Sequence, residues 1–403
     1  MATAASTITP IASGNAMVRY NRSRRSALAI WWQEIDRVTL ALVLILMAIG
    51  TVSVAAASPA SSRRLSTSAK HLSDLHFFFI HLRWQALGLL ALFGTSTLSK
   101  ETARRLGILI AGAMLFALML VPFVGSEVNG ARRWLNLGVS IQPSEFLKCG
   151  FPILLAWILA WRVRDNRLPV MQVTVGLMGL IGVLLMAQPD FGSTMLFSAT
   201  WFVLILLSGL DVRRIMAAMG AGVAIVALAY MFYENGRNRI NAFLGGGSAY
   251  DQVDLAERTL LNGGWFGTGF WMGSRKLSLP EAHTDYIFSV IGEEFGLAVC
   301  AVIIMLYAAI LFQAILRQTR EDDLFTVLAG TGIVAQFGGQ AFINILVNLQ
   351  LFPSKGMTLP LVSYGGSSTV AVCTCLGLLL AITRRNPFIE RERFSLSDVG
   401  ETA

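Results

Sequence analysis

The chain has 403 residues, of which 55% are hydrophobic and only 14% are charged, and this excludes a soluble protein with an ordinary surface. The net charge is +8, but the basic residues lie scattered at the ends of apolar runs, which favours anionic lipid headgroups over nucleic acid as their partners. No P-loop, HExxH or CxxC spacing occurs, so a soluble ATPase or a zinc site is not expected. All four cysteines lie inside apolar runs, and no disulfide framework is predicted.

Ten apolar runs approach the roughly 20 residues that cross a bilayer. They predict an all-α, polytopic membrane protein with ten transmembrane helices at about 38–57, 77–96, 106–124, 145–161, 168–187, 193–209, 213–233, 285–313, 324–350 and 361–382. The first run lacks a convincing cleavage site and is interpreted as an uncleaved span. An even number of spans places both termini on the same side.

The basic residues predict which side that is. Of the 32 Lys and Arg residues, 19 fall in the two tails and in the loops on the same side as the tails. This asymmetry predicts that both termini are cytoplasmic. The predicted organisation is a disordered basic cytoplasmic tail at 1–35, a ten-helix membrane domain at 36–385 and a cytoplasmic C-terminal tail at 386–403.

One long extracytoplasmic loop, residues 234–284, separates the seventh and eighth predicted helices. It is rich in glycine, and its acidic and basic residues balance. A loop of this length is uncommon unless it is functional or disordered. Its aromatic residues predict that it lies at the membrane interface, where such side chains settle: Trp265, Phe266, Phe270 and Trp271.

The stretch LPEAHTDYIFSVIGEE, residues 279–294, places acids at the outer threshold of the eighth predicted span. An ionisable group at membrane depth is costly and therefore indicates a functional site. A helix that begins near Thr284 would also explain Asp285 as ordinary helix-start chemistry. The deeper pair Glu293 and Glu294 favours the functional interpretation, because helix capping does not explain it.

A second polar stretch, NGARRWLNLGVSIQPSEFLK at 129–148, leads into the fourth span. Its arginines, including Arg133, suit an anionic lipid headgroup because the guanidinium grips phosphate through a planar fork. Glu145 and Lys148 stand three residues apart, so they form either a structural ion pair or part of a headgroup site.

Four amides recur every four residues along the ninth span, at Gln336, Gln340, Asn344 and Asn348. Such a stripe either bonds helices together in the membrane or lines a polar cavity.

The last motif, LFPSKGMTLPLVSYGGSS at 351–368, breaks helix geometry beside the lone cation Lys355. Broken backbone in a membrane is tolerated only where protein or water satisfies it, so this segment is either a site or a simple re-entrant turn.

These motifs, taken together and in order, resemble the SEDS family, the FtsW/RodA peptidoglycan polymerases of bacteria. The resemblance spans about residues 36–385 and is carried by NGARRWLNLG, QPSEFLK, QPDFGS, GGWFGTG, PEAHTDYIFSVIGEE and PSKGMTLPLVSYGGSS. PEAHTD followed by IGEE, together with Lys355 in PSKG, is similar to the division-specific FtsW branch.

The resemblance implies an inverting glycosyltransferase that joins lipid II units into glycan strands outside the cytoplasmic membrane, during septal wall synthesis and cell division. It implies a class B penicillin-binding protein, FtsI, and other divisome proteins as partners, and the inner membrane at the septum as the location. Asp285 corresponds to the family's essential acid. The implied substrate-binding residues are Arg133, Glu145, Lys148, Lys355, Glu281, His283 and Ser363.

The chemistry expected of Asp285 follows from the implied reaction. A carboxylate that reaches the acceptor hydroxyl can act as its general base, while fixed cations stabilise the departing pyrophosphate. Asp285 is alternatively a ligand of a divalent cation, Mg²⁺ or Mn²⁺, bridged to the pyrophosphate. No organic cofactor is expected.

Two other functions stay open on the sequence alone. A transporter that moves lipid II across the membrane also needs interior polar residues and broken helices, but its charges should lie near the midplane and be reachable from both sides. A non-catalytic scaffold that recruits the transpeptidase would not need Asp285 for division.

Overall fold

The computed structural model describes residues 27–66, 71–128, 131–136, 138, 140–164, 168–209, 220, 231, 252–353 and 356–385. The α-helices that run through these ranges are α1 (Ala27–Glu34), α2 (Arg37–Leu65), α3 (His76–Ser96), α4 (Lys100–Val124), α5 (Pro143–Arg164), α6 (Val170–Ala187), α7 (Phe191–Leu207), α8 (Gln252–Asn262), α9 (Ile287–Phe295), α10 (Leu297–Gln318), α11 (Leu324–Asn348) and α12 (Ser367–Ile382).

Seven of the helices in the described part of the chain, α2 to α6 with α10 and α11, are long and apolar enough to cross a membrane. Helices α7 and α12 are apolar but shorter, at 17 and 16 residues. The predicted seventh span, 213–233, lies outside the described residues except for Gly220 and Met231. The chain is an integral membrane protein.

The predicted single helix at 285–313 is wrong, because the chain forms two helices there. Gly296, with a φ of +85°, ends α9 and begins α10. That left-handed conformation is accessible to glycine at little cost. The first amides of α10 then bond to the preceding loop, Leu297 N to the Gly264 carbonyl at 2.9 Å and Ala298 N to the Trp265 carbonyl at 3.2 Å. The loop that contains Gly264 and Trp265 is therefore attached directly to the start of the apolar helix α10.

A small three-stranded antiparallel sheet departs from the all-α prediction. It consists of β1 (Ser126–Val128), β2 (Ala131–Asn136) and β3 (Ser140–Ile141), with β2 in the middle. It joins α4 to α5 at the same end of the bundle as the start of α10. The backbone amides and carbonyls of this connection have no partners within a helix. Because such groups near a membrane must be hydrogen-bonded, they pair with one another as short strands.

Small residues allow the spans to approach closely. A Cβ added to Gly150 in α5 would lie 2.5 Å from the backbone nitrogen of Ala111 in α4, and one added to Gly377 in α12 would lie 2.6 Å from the Leu92 carbonyl in α3. Close backbone approach of this kind drives helix association in membranes through van der Waals packing. Helix α11 contacts α5, α7, α10 and α12, so its amide stripe lies inside the bundle.

The two described ends of the chain meet at the opposite end of the bundle. The Arg385 amide donates to the Glu34 carbonyl at 3.3 Å, and Arg384 lies 3.2 Å from the Glu34 carboxylate. Asp36 caps α2 through the amides of Val38 and Thr39. This contact puts both ends of the membrane domain on one side, as an even number of spans requires.

Candidate functional site

Asp285 lies in the turn that precedes α9, and its side chain is half-buried. The predicted helix start near Thr284 is wrong. Helix α9 begins at Ile287, its N-cap is Tyr286, and the Thr284 hydroxyl bonds to the Glu281 carboxylate at 2.9 Å. Asp285 therefore lies one residue before the N-cap of α9.

The last motif passes directly beside the Asp285 carboxylate. A Cβ added to Gly356, whose φ is +61°, would lie 3.4 Å from Asp285 Oδ2. Gly356 therefore leaves space next to the acid that a side chain would occupy. Lys355, the cation predicted in this motif, immediately precedes Gly356 in the sequence and lies outside the described residues.

The amide stripe of α11 supports the irregular backbone around Asp285. Asn344 Nδ2 donates to the Asp285 carbonyl at 2.8 Å, and Asn348 Nδ2 donates to the same oxygen at 3.1 Å. One turn further along the helix, Gln340 Nε2 donates to the Thr358 carbonyl at 3.0 Å. The stripe thus satisfies carbonyls that the broken segments leave without helical partners. The sequence showed the stripe but gave no signal for which backbone it holds.

Glu145 and Lys148 form a buried ion pair, with Lys148 Nζ 2.6 Å from Glu145 Oε1. Lys148 also donates to Gln340 Oε1 at 3.1 Å, and Ser368 Oγ donates to Glu145 Oε2 at 2.8 Å. The Thr358 hydroxyl lies 3.4 Å from Ser368 Oγ and 3.4 Å from Gln340 Nε2. These contacts close a ring of five polar side chains: Glu145, Lys148, Gln340, Thr358 and Ser368. The ring joins α5, α11 and α12 to the segment that runs beside Asp285, and the structure thus brings Glu145 and Lys148 into the framework of the same region.

Two further predicted residues, His283 and Ser363, fix the Asp285 turn against its neighbours. Ser363 Oγ donates to the Thr284 carbonyl at 2.6 Å, and the Tyr364 amide donates to the His283 carbonyl at 2.9 Å. His283 Nδ1 lies 2.7 Å from Ser61 Oγ in α2. Burial lowers the pKa of His283 to about 4, so its imidazole is neutral at neutral pH and is not a cation for a pyrophosphate.

Arg133 lies on β2 and points its guanidinium at the turn between α6 and α7. Its Nε donates to the Gln188 carbonyl at 2.9 Å, and its Nη2 donates to the Pro189 carbonyl. These bonds tie the small sheet to the QPDFGS motif.

Glu281, another predicted site residue, is exposed and has an unusual positive φ of 52°.

The pair Glu293 and Glu294, which favoured a functional site in the sequence, has a structural role in the described residues. Glu293 accepts from the backbone amides of Arg275 and Lys276 at 2.8 and 2.9 Å. Glu294 accepts from the amides of Trp271 and Gly273 and forms an ion pair with Lys276. Through these bonds the two carboxylates fold the segment from Trp271 to Lys276 onto α9.

No group of three or more His, Cys, Asp or Glu side chains able to hold a metal ion occurs among the described residues. Mg²⁺ commonly binds through only one or two carboxylates together with substrate phosphates. The Asp285 carboxylate fits that kind of site.

Comparison with known families identifies the fold. The sequence model described as a cell cycle protein, which covers FtsW, RodA and SpoVE, matches residues 36–387. The chain belongs to this family. The match agrees with the extent predicted from the sequence motifs, about 36–385.

Relatives in the FtsW/RodA family cover nearly the whole chain. A probable peptidoglycan glycosyltransferase FtsW from Caulobacter vibrioides is 33% identical over 93% of this chain and 96% of its own length. One from Methylococcus capsulatus is 36% identical over 86% of this chain and 89% of its own length.

Solved structures agree with this assignment. A chain of a peptidoglycan synthase complex, described for its coordination of polymerization and crosslinking, is 28% identical, with a TM-score of 0.72 over 90% of this chain and 99% of that chain. The rod shape determining protein RodA of Thermus thermophilus is 28% identical, with a TM-score of 0.64 over 87% of this chain and 97% of that chain.

Proposed function

We propose that this membrane protein is a peptidoglycan glycosyltransferase that polymerises lipid II into glycan strands during septal wall synthesis and cell division. The observation that carries the proposal is half-buried Asp285, whose backbone carbonyl is held by α11 and whose carboxylate lies beside Gly356. Relatives that cover most of the chain bear the name peptidoglycan glycosyltransferase FtsW.

In the proposed reaction Asp285 is the general base. It takes the proton from the acceptor sugar hydroxyl while the oxygen attacks the anomeric carbon of the lipid-linked donor. The glycosidic bond forms as the bond to undecaprenyl pyrophosphate breaks on the opposite face, so the configuration inverts. The leaving group carries away the electron pair, and the proton stays on Asp285 until solvent removes it.

Three cations are proposed to stabilise the leaving pyrophosphate: Arg133, Lys148 and Lys355. Lys355 has the most direct support, because the next residue in the chain, Gly356, borders the Asp285 carboxylate. Lys148 and Arg133 already hold intramolecular partners, so their contact with substrate remains a prediction. Glu145, Glu281, His283 and Ser363 are proposed to shape the same substrate site.

A divalent cation, Mg²⁺ or Mn²⁺, fits the proposal as an alternative role for Asp285. Asp285 would hold it together with the substrate's own phosphates. The ion would neutralise charge on the leaving group. No organic cofactor is proposed.

The proposed setting is the bacterial inner membrane at the division septum. We propose ten transmembrane helices, with both termini and the tails at 1–35 and 386–403 in the cytoplasm. The site and the long loop at 234–284 then face outward, where the sugar head of lipid II lies. FtsI, a class B penicillin-binding protein, and other divisome proteins are the proposed partners.

The part of this loop nearest the membrane carries an exposed aromatic surface, formed by Trp265, Phe266, Phe270, Trp271 and Met272 and called here the aromatic shelf. The Trp265 carbonyl bonds to the first turn of α10, and Trp271 Nε1 donates to the Ala55 carbonyl of α2 at 3.0 Å. The shelf is thus attached to two spans, and we propose that it rests in the lipid interface.

A lipid II transporter is the second candidate, because the Glu145–Lys148 pair lies inside the bundle, inward of Asp285 along α11. The cavity beside this pair offers only about 20 Å³ of room, enough for a water molecule but not for a sugar. A non-catalytic scaffold is the third candidate. Both alternatives predict that the purified chain forms no glycan polymer, and the scaffold also predicts that division does not need Asp285.

The test uses the purified full-length chain with its cognate transpeptidase and labelled lipid II. We expect Asp285→Asn to abolish glycan polymerisation while the folded protein and the complex persist. The partly exposed acid Glu257 on α8 provides a control, and Glu257→Gln should polymerise normally. Polymer formation by Asp285→Asn at the parental rate would overturn the base assignment. Transport of lipid II in liposomes, without polymer, would favour the second candidate.

A further inference from the structure

Helix α9, which follows Asp285, lacks a capping side chain of its own. Its N-cap is Tyr286, whose side chain makes no capping bond. Asn348, from α11, supplies a side-chain acceptor to the first turn of α9, where the Ser289 amide also donates to the Tyr286 carbonyl at 3.1 Å. Its Oδ1 accepts from the backbone amide of Ser289 at 3.2 Å and from the Ser289 hydroxyl at 2.8 Å. Ser289 is the third residue of α9, and its amide is one that an N-cap side chain normally satisfies.

The nitrogen of the same Asn348 amide points at Asp285. It donates to the Asp285 carbonyl at 3.1 Å, so one side chain both caps α9 and holds the residue that carries the proposed base. Asn348 is wholly buried. The amide supplies an acceptor and a donor together, whereas leucine offers neither and aspartate offers no donor when charged.

Asn344, one turn earlier, connects Asp285 to the last motif. Its Nδ2 donates to the Asp285 carbonyl at 2.8 Å and to the Met357 carbonyl at 2.6 Å. Gly356, the neighbour of Met357, borders the Asp285 carboxylate. One side chain thus fixes the spacing between the carboxylate and the segment beside it. Asn344 is 2% exposed, so water does not replace these bonds.

We infer that Asn344 and Asn348 are positioning residues for Asp285: their amides set where the carboxylate lies relative to the 356–358 segment and therefore to the substrate. The inference rests on the proposed function, in which Asp285 is the base. Asn344 and Asn348 act through the Asp285 backbone. Their effect therefore falls on the chemical step, which depends steeply on the placement of the reacting groups.

Two kinds of variant separate positioning from general stability. Asn348→Asp keeps an acceptor for Ser289 but loses the donor to the Asp285 carbonyl, whereas Asn348→Leu loses both. Asn344→Leu and Asn344→Asp both lose the donor to the two carbonyls. The matched control is Gln336→Leu, since Gln336 belongs to the same stripe but bonds to Thr200 of α7 and not to the Asp285 region.

The experiment measures lipid II polymerisation by each full-length variant in complex with its transpeptidase, together with its thermal unfolding. We expect kcat to fall on the order of 10- to 100-fold in all four asparagine variants, with KM for lipid II changed less than about two-fold. Asn348→Asp should unfold at a higher temperature than Asn348→Leu but lose as much kcat. Gln336→Leu should keep the parental kcat.

Asp285→Asn, run in parallel, separates failure of this inference from failure of the proposed function. If Asp285→Asn polymerises normally, the assigned base is wrong. If it is inactive while Asn344→Leu and Asn348→Asp keep the parental kcat, the positioning role is overturned and the base assignment stands. An equal loss of kcat in Gln336→Leu would also overturn the positioning role, because the damage would then belong to α11 as a whole.

Discussion

The Lys276 ammonium and the Glu294 carboxylate form an ion pair that is almost wholly buried, with side chains 3% and 0% exposed. Lys276 Nζ also donates to the Ala56 carbonyl of α2 at 2.9 Å. The pair therefore joins three parts of the protein: the outer loop, α9 and the outer end of α2. It holds the loop in place at the end of the helix that begins just after Asp285.

Lys276→Met tests this anchor. The substitution leaves the Glu294 carboxylate buried without its counter-ion, and removing one partner of a buried pair costs about 3–5 kcal/mol. Arg258→Met is the control, because Arg258 pairs with Asp254 on the surface and its side chain is 51% exposed; such pairs contribute roughly 0–1 kcal/mol. Thermal unfolding of the purified protein measures both. Equal stability of the two variants would contradict the anchoring role.

Gly356→Ala should impair the reaction beyond its effect on folding. The new methyl group would approach the Asp285 carboxylate to 3.4 Å and occupy the open space beside it. Gly264→Ala is a matched control, since Gly264 has a similar φ of +57° but nothing within 4 Å of the added carbon. Both variants carry the left-handed strain of about 1–2 kcal/mol, so unfolding temperatures should fall alike. Only Gly356→Ala should lose polymerisation, and equal activity would show that the space is not used.

The Glu145–Lys148 pair is tested by removing one charge and then both. Lys148→Met alone leaves a buried carboxylate and should destabilise the protein by about 3–5 kcal/mol, whereas the double variant Glu145→Gln with Lys148→Met should regain most of the stability. Polymerisation by the double variant decides whether the pair serves only the fold. Recovered stability without recovered activity would support Lys148 as a cation for the substrate.

The buried His283 predicts a pH dependence of stability. Its pKa is about 4 in the folded protein, against an ordinary value of 6.5, because burial disfavours the charged form. Between these values the unfolded chain binds a proton that the folded chain does not, so stability is lost as pH falls from about 6.5 toward 4. The difference corresponds to about 3 kcal/mol.

His283→Gln should weaken that dependence, since glutamine does not titrate. Unfolding temperatures at pH 7 and pH 5 should differ less in His283→Gln than in the parent protein. His71→Gln is the control, because His71 is exposed. If His283→Gln kept the full pH dependence of the parent, other groups would account for it.

Apolar run length predicted most of the spans, because crossing a bilayer demands long apolar helices whatever their neighbours are. It did not predict the break at Gly296, since a single glycine inside an apolar run gives no sign that its backbone turns left-handed. The three short strands were missed for a similar reason. They depend on partners three to eight residues away, and no alternating pattern marks them.

The site was predicted in part for the same physical reason. Acids and cations at membrane depth stand out in a sequence, and Glu145 and Lys148 do lie together in the structure. Glu293 and Glu294 looked equally functional, yet they accept backbone amides that no sequence pattern reveals. The role of Asn344 and Asn348 was hidden as well, because their partner is a carbonyl about 60 residues away and every residue has a carbonyl.

The last prediction concerns the position of the aromatic shelf relative to the lipid. Phe266, Met272 and Trp265 are 89%, 75% and 70% exposed. Such a surface is unfavourable in water. The Trp265 carbonyl bonds to Ala298 N, so the Trp265 backbone lies beside the first turn of the apolar helix α10. We therefore expect Trp265 to contact the outer part of the lipid layer.

Tryptophan fluorescence in vesicles of brominated lipid tests this placement, because bromine quenches an indole only at short range. The fluorescence of Trp265 is the difference between the emission of the parent protein and that of Trp265→Phe. We expect lipids brominated near the headgroup to quench this difference more than lipids brominated near the chain end. Trp84→Phe is the comparison, since Trp84 lies on a different helix, α3, where its half-buried ring faces Gly366. Emission from Trp265 that neither lipid quenches would place the shelf in water or against a protein partner. In that case Phe266→Asp should weaken binding of the transpeptidase but not insertion into the membrane.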